Sequence, residues 1–212
     1  MKLMTLFRPW LLSLSLGTLA GCSLLAGGSK APVTLYAPDV RIAPDPAWPH
    51  VTWQLAIAKP SAASVVDSPR INVRPRPDEL EVYRGVSWAQ PSTDLLESTL
   101  VRAFEDSGRI TGVARVGDGI RADYKLSIDL RRFESDYAGR NTPSATIELN
   151  AKLLHSGDQR IVASRTLLVA EPASSSNTAA VAAAFETALG KVSRELVGWT
   201  LVSGQRDAQS HP

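Results

Sequence analysis

"GIRADYKLSIDLRRFESDY", residues 119–137, is the stretch on which the fold turns. Ile120, Ala122, Tyr124, Leu126, Ile128 and Leu130 recur at every second position, and Arg121, Asp123, Lys125, Ser127, Asp129 and Arg131 fill the positions between. Successive side chains of a strand point to opposite faces, so the alternation predicts one long strand with an apolar face on the core and a polar face toward water or a polar partner. At Phe133 the apolar phase slips by one. That slip predicts a bulge near Arg131-Arg132, or the end of the sheet contact there.

The flanking segments extend the sheet. Ile147, Leu149, Ala151 and Leu153 alternate, Ser156-Gly157-Asp158 forms a turn, and Ile161 to Val169 returns, which reads as a hairpin. Upstream, Val51, Trp53, Leu55 and Ile57 alternate against Thr52, Gln54, Ala56 and Ala58, a further strand with one buried face. Two shorter strands are expected around Ile71–Val73 and Leu80–Tyr83, with Pro75 and Pro77 confining the first to an edge or a strand end. Another is expected near Ile110 to Val116.

Two helices complete the pattern. In "QPSTDLLESTLVRAFEDSGRI", residues 90–110, Pro91 suits a first turn, and Asp94 and Glu97 favour the positive helix start. Leu96, Leu100 and Phe104 make an apolar stripe widened by Leu95, and Gly108 suits a left-handed stop. This helix can cross over between two parallel strands. The second helix begins after Asn177, a good N-cap, and carries Val181, Phe185, Leu189, Val192, Leu196 and Trp199 at spacings of four and three. Gly190 and Gly198 interrupt that stripe, which fits a helix covering a sheet better than a coiled coil. The expectation is an α/β fold: a single domain, residues 51–202, with a mixed central β-sheet of about five or six strands packed with two principal helices. A polar, frayed tail at 203–212 is expected after it.

The N-terminal segment has a different character. Lys2 and Arg8 precede "PWLLSLSLGTLA", an uncharged apolar run too short to span a bilayer comfortably, and Ala20-Gly21 supply a small-residue cleavage site. Residues 1–21 therefore read as a secretory signal peptide. Cys22 is the only cysteine of the 212 residues. Leu19, Ala20, Gly21 and Cys22 resemble the bacterial lipobox, in which the cysteine sulfur receives a diacylglycerol and becomes the first mature residue. The bland alternatives are an ordinary signal peptide with a chance cysteine and an inert buried thiol. Ser23 is not the aspartate that enteric-type lipoprotein sorting reads as inner-membrane retention. The resemblance thus implies the inner leaflet of the outer membrane, facing the periplasm. From residue 22 to 50 the chain runs through Gly27-Gly28 and Pro32, Pro38, Pro44, Pro46 and Pro49, which reads as a lipidated, proline-rich tether. Its roughly 28 residues could reach ~90 Å, although Leu35-Tyr36 can instead dock onto the domain.

Composition narrows the function. The whole chain has 23 Lys+Arg and 21 Asp+Glu; losing Lys2 and Arg8 with the signal leaves 21 of each. A neutral chain lacks the basic face that phosphate neutralisation requires, so no nucleic-acid partner is expected. His50, His155 and His211 have no metal-site spacing, and no G-x-S-x-G elbow or phosphate-cradling glycine loop is present. No catalytic residue, metal or cofactor is expected beyond a covalent lipid on Cys22.

Beyond the lipobox, "INVRPRPDELEVYRGVSWAQPSTDLLESTLVRAFEDSG", residues 71–108, resembles the ABC-type transport auxiliary lipoproteins of the PqiC/YmbA-like kind. The correspondence lies in a "LY" at Leu35-Tyr36, Ile71, Tyr83 closing a strand, and a Trp-Ala-Glu/Gln-Pro opening of the long helix at Trp88, Ala89, Gln90 and Pro91. Gln90 stands where glutamate is commoner. The motif covers residues 71–108, and element order extends the likeness to most of the mature domain. The resemblance implies a non-enzymatic lipoprotein that accompanies an ABC ATPase, a permease and an MCE-domain protein moving phospholipids or other apolar solutes between membranes. It also implies a possible homo-oligomeric ring as the outer-membrane end of the bridge. Tyr83, Trp88, Gln90 and Pro91 are candidates for a partner interface or, more simply, for the helix start. Two rival readings are an outer-membrane assembly lipoprotein escorting a barrel protein, in lipopolysaccharide or secretion machinery, and a periplasmic lipoprotein hydrolase.

Overall fold

The longest strand carries almost every other strand of the molecule. In the computed structural model, which describes residues 32–211, β8 spans Tyr124–Asp136. The signal region, the lipobox residues Leu19, Ala20 and Gly21, and Cys22 lie outside the described residues. Along one edge β8 pairs antiparallel with β9, Ser144–His155, from Tyr124↔His155 to Asp136↔Ser144. Its other edge is shared by three short parallel strands in succession: β2 (Val51–Ile57), β3 (Ser61–Ala62) and β4 (Asn72–Arg74). The register on β9 shifts between Leu130 and Arg132, the bulge expected from the phase slip, and it returns Phe133 to the core at 2% exposure.

The remaining strands extend this frame. β10 (Ile161–Pro172) pairs antiparallel with β9, β7 (Ile110–Arg115) pairs parallel with β2, and β5 (Glu81–Val82) closes a small hairpin with β4. The main path is therefore β10-β9-β8-β2-β7, a mixed sheet of five strands with three short ones attached. A separate two-stranded parallel ribbon joins β1 (Thr34–Tyr36) to β6 (Val86–Trp88).

Two helices cover the apolar side of this sheet. α1, Ser92–Ser107, buries Leu96, Leu100 and Phe104 completely. Full burial of each such side chain stabilises by ~1.5–3 kcal/mol. Pro91 is its N-cap rather than its first turn, and Gly108 ends it in the left-handed conformation. α2, Thr178–Ser210, starts on Asn177, whose side chain accepts from the Ala180 N–H at 2.8 Å, and packs on β8, β9, β10 and α1. The other sheet face is open, with Asp129, Arg131, Lys152 and Thr166 exposed on it.

Two expected boundaries move. α2 continues through the expected tail to Ser210, because Gly204 and Asp207 are buried against the sheet rather than solvated. Folded structure also starts well before residue 51. From Val33 to His50 the chain forms a strap: Val40 is 7% and Trp48 8% exposed, and Tyr36 Oη lies 3.2 Å from Thr178 Oγ1. Asp39 pairs with Arg102, Arg41 with Asp106 at 3.2 Å, and Arg194 donates to Ala43 O at 2.7 Å and Asp45 at 2.8 Å. The strap thus bridges both helices. Beyond Tyr36, prolines deny it a ladder, and side-chain anchors replace the missing backbone bonds.

The glycines of α2 have a packing reason. A methyl group on Gly198 would lie 2.5 Å from Trp48 Nε1, and one on Gly204 would lie 2.6 Å from Trp53 Cζ2, whereas Gly190 has only Val40 at 3.7 Å. Gly→Ala in a helix gains up to ~1 kcal/mol, but overpacking a rigid indole costs ~1–3 kcal/mol. Gly190→Ala is therefore expected to raise the urea midpoint, and Gly198→Ala and Gly204→Ala to lower it, in equilibrium unfolding followed by circular dichroism.

Candidate functional site

The residues singled out by the sequence motif build the start of α1. Trp88, 2% exposed, meets Phe185 edge-on at 5.0 Å and Phe133 at 5.8 Å, while Phe133 and Phe185 stack at 4.7 Å. The burial and edge contacts hold it there although its Nε1 has no hydrogen-bond partner among the described residues. Tyr83 packs two residues further along β8, with Oη 3.0 Å from Ser135 Oγ; burial pushes its phenol up to about 12. Pro91 caps the helix, and Gln90 is half-exposed beside it. The next two residues complete the joint: Ser92 donates to Val66 O at 2.5 Å and Thr93 to Asp67 at 2.6 Å. Tyr83 and Trp88 are thus brought onto neighbouring positions of β8: Trp88 lies in the core, and Tyr83 packs half-buried against it.

The candidate surface lies elsewhere, along the second half of α2. Between the strap, edge strand β10 and α2 is a groove of about 490 Å³. Trp48, Trp199 and Val202 give it an apolar side; Asp45, Arg165 and Arg206 give it a charged rim. Arg194 lies 5.5 Å over the Trp48 ring and fixes that wall, and Arg165 is held by Glu195 at 3.0 Å. Arg206 is exposed and has no carboxylate partner among the described residues. A smaller hollow of about 190 Å³ continues past Ser203 to His211. Indole, aliphatic and guanidinium groups in one groove suit a protein segment with apolar and acidic side chains. Among the described residues no three His, Cys, Asp or Glu side chains converge as a metal site.

A buried polar clamp holds this end of α2. Asp207 accepts two hydrogen bonds from Arg160, at 2.6 and 2.8 Å, and one from Tyr124 Oη at 3.0 Å. The Arg160 guanidinium holds the Asp207 carboxyl below the usual carboxylate range, and burial followed by the Asp207 contact pushes Tyr124 up to about 12. Tyr124 in turn meets Trp53 edge-on at 4.9 Å. Sequence reading missed the clamp because Asp207 falls in a polar stretch and its partners lie 47 and 83 residues away.

Residues 34–197 match the sequence model of a family described as ABC-type transport auxiliary lipoprotein component. The chain belongs to that family. Among solved structures, this auxiliary lipoprotein is similar to a Xanthomonas campestris protein of the DUF330 family: 69% identical, TM-score 0.82, over 84% of this chain and 99% of that one. A second solved structure, of an uncharacterized protein, shares the fold alone at 13% identity and TM-score 0.60, over 78% of this chain and 97% of that one. An uncharacterized protein of Bradyrhizobium diazoefficiens is 30% identical over 88% of the chain. The chain spans about half the length of that curated relative. Among the described residues no helix is long and apolar enough to cross a membrane.

The clamp sets the pH response. Because Asp207 is depressed in the folded state, its contribution is present above the ordinary carboxylate value near 3.8 and is lost as pH falls through its lower folded value. Tyr124 is raised, so its contribution is present below about 10 and is lost as pH climbs toward about 12. Asp207→Asn is expected to lower the melting temperature at neutral pH by several degrees and to flatten the acid limb of a melting-temperature profile measured across pH.

Proposed function

We propose that the protein is an outer-membrane lipoprotein, held in the periplasm-facing leaflet by acyl chains on Cys22. There it serves without catalysis as the docking component of an ABC transporter. Its partner in this reading is an MCE-domain protein carried by the permease and ATPase of the inner membrane, and its cargo is phospholipid or another apolar solute. The observation that carries the reading is the family match across residues 34–197 joined to a lipobox that ends at Cys22. Two or more acyl chains, at ~0.8 kcal/mol per buried CH₂, hold a protein stably on a bilayer without a spanning helix. Acyl chains crossing the periplasm unshielded expose apolar surface to water, and a docked conduit removes that cost.

The groove beside Trp199 is the surface assigned to the partner. The chain enters the fold next to the start of α2, where Tyr36 meets Thr178. At ~1.5 Å per residue, Trp199 stands about 30 Å further along that helix. An anchor at the entry thus leaves the groove facing away from the lipid. A ring of several copies around an MCE tube is part of the same reading.

Two measurements test it. Protein purified from native membranes is expected to carry an acyl mass on Cys22 and to fractionate with the outer membrane, and Cys22→Ser to lose both. The mature domain is expected to retain the MCE-domain protein in a pull-down. Trp199→Ala with Arg206→Glu should weaken that capture on the order of ten-fold, as loss of a central aromatic anchor does. A folded wild-type domain that captures nothing contradicts the assignment.

A further inference from the structure

Exposed apolar and basic residues flank the place where the chain enters the fold. Thr34 N donates to Gly85 O at 2.9 Å, and Thr34, Leu35 and Tyr36 pair with Val86, Ser87 and Trp88. Tyr36 and Trp88 turn inward, with ring centroids 6.5 Å apart. By the alternation of a strand, Val33 and Leu35 then turn outward, where they are 56% and 62% exposed. Arg84 precedes Gly85. Arg70 follows Pro69, whose carbonyl accepts from Trp88 N at 2.7 Å and from Ser87 Oγ at 2.7 Å. Both arginines are exposed, and neither has a carboxylate partner among the described residues.

Tether length says what covers this surface. With the folded body starting at Val33, only residues 23–32 separate it from Cys22. Ten residues extend at most about 35 Å, against the ~90 Å of a tether running to residue 50. An anchor on Cys22 therefore keeps the β1–β6 ribbon beside the bilayer at high effective concentration.

We propose that this ribbon is the membrane-resting face of the domain, with Val33 and Leu35 in the bilayer interface and Arg70 and Arg84 on the phosphates of anionic phospholipids. The inference rests on acylation of Cys22. Two aliphatic side chains and two guanidinium groups bind a lipid surface weakly when free, and the tether makes the contact persistent. It also fixes orientation: α2 starts at the membrane, and its groove end points into the periplasm.

The test supplies the anchor chemically. The mature chain from Cys22, produced without acylation, is coupled through its single thiol to maleimide lipid in phosphatidylethanolamine–phosphatidylglycerol vesicles. Hydrogen exchange is then compared with that of the free protein. Peptides covering residues 33–37 and 84–88 are expected to slow several-fold on the vesicles, with residues 198–206 unchanged. Arg70→Glu and Arg84→Glu should each reduce that protection on the order of five-fold, and Leu35→Asp should abolish it at unchanged circular dichroism. Ribbon peptides that exchange on the vesicles as they do in solution, or protection of 198–206 instead, overturn the proposal. Since the coupling replaces the native lipid, such a failure leaves the anchor untouched. The mass on Cys22 in native protein decides the anchor separately.

Discussion

Two indoles lie where a methyl group on α2 would be. Trp48, from the strap, sits against Gly198, and Trp53, from β2, sits against Gly204. Only a helix without side chains at those two positions lets the strap and the sheet approach its backbone together. Around this close approach the rest of that end assembles: Trp53 meets Tyr124, Tyr124 donates to Asp207, and Asp207 receives Arg160 from the turn just before β10. At the other end, Trp88, Phe133 and Phe185 fasten the beginning of α1 to β8 and to α2. A long helix is thereby pinned at both ends, and the strap lies along it between the pins.

Pinning the strap changes what the N-terminal region can do. A segment that spans the gap to the membrane and a segment that is part of the domain are different objects, and residues 33–50 are the second. In the proposed anchoring the reach left to the chain after Cys22 shortens accordingly, and the entry point of the polypeptide becomes a defined end of the body. An auxiliary lipoprotein with one end at the chain's entry and a groove near the other has the polarity that the proposed link between two membranes requires. A floating adaptor on a long flexible leash has no such polarity.

Local patterns in the sequence were legible wherever one residue's neighbours decide its direction. The alternation from Tyr124 to Leu130, the slip at Phe133, the turn at Ser156-Gly157-Asp158, the cap at Asn177 and the stop at Gly108 all report such local constraints. The sharing of one β8 edge by β2, β3 and β4 was not legible, because parallel pairing joins residues 62 to 69 positions apart and leaves no periodic trace. Nor was the strap, whose prolines mimic an irregular linker while Val40 and Trp48 carry its contacts singly. Of the candidate site, Tyr83 and Trp88 stood out as aromatic landmarks; Trp88 belongs to the core and Tyr83 packs half-buried against it. The groove residues Trp199 and Arg206 did not stand out, since Trp199 reads as one more member of an apolar stripe. Gly190 and Gly198 were visible as interruptions, but the reason at Gly198 required Trp48 in place.

Residues 33–50 belong to the folded body. Equilibrium urea unfolding of two chains, one beginning at Val33 and one at Val51, measures what that segment contributes. If the strap is structural, the chain from Val51 unfolds at a clearly lower midpoint with a shallower, less cooperative transition, because Trp48, Val40 and the Arg194 contacts are gone and α2 is uncovered. Superimposable curves for the two chains would return residues 33–50 to the role of a linker.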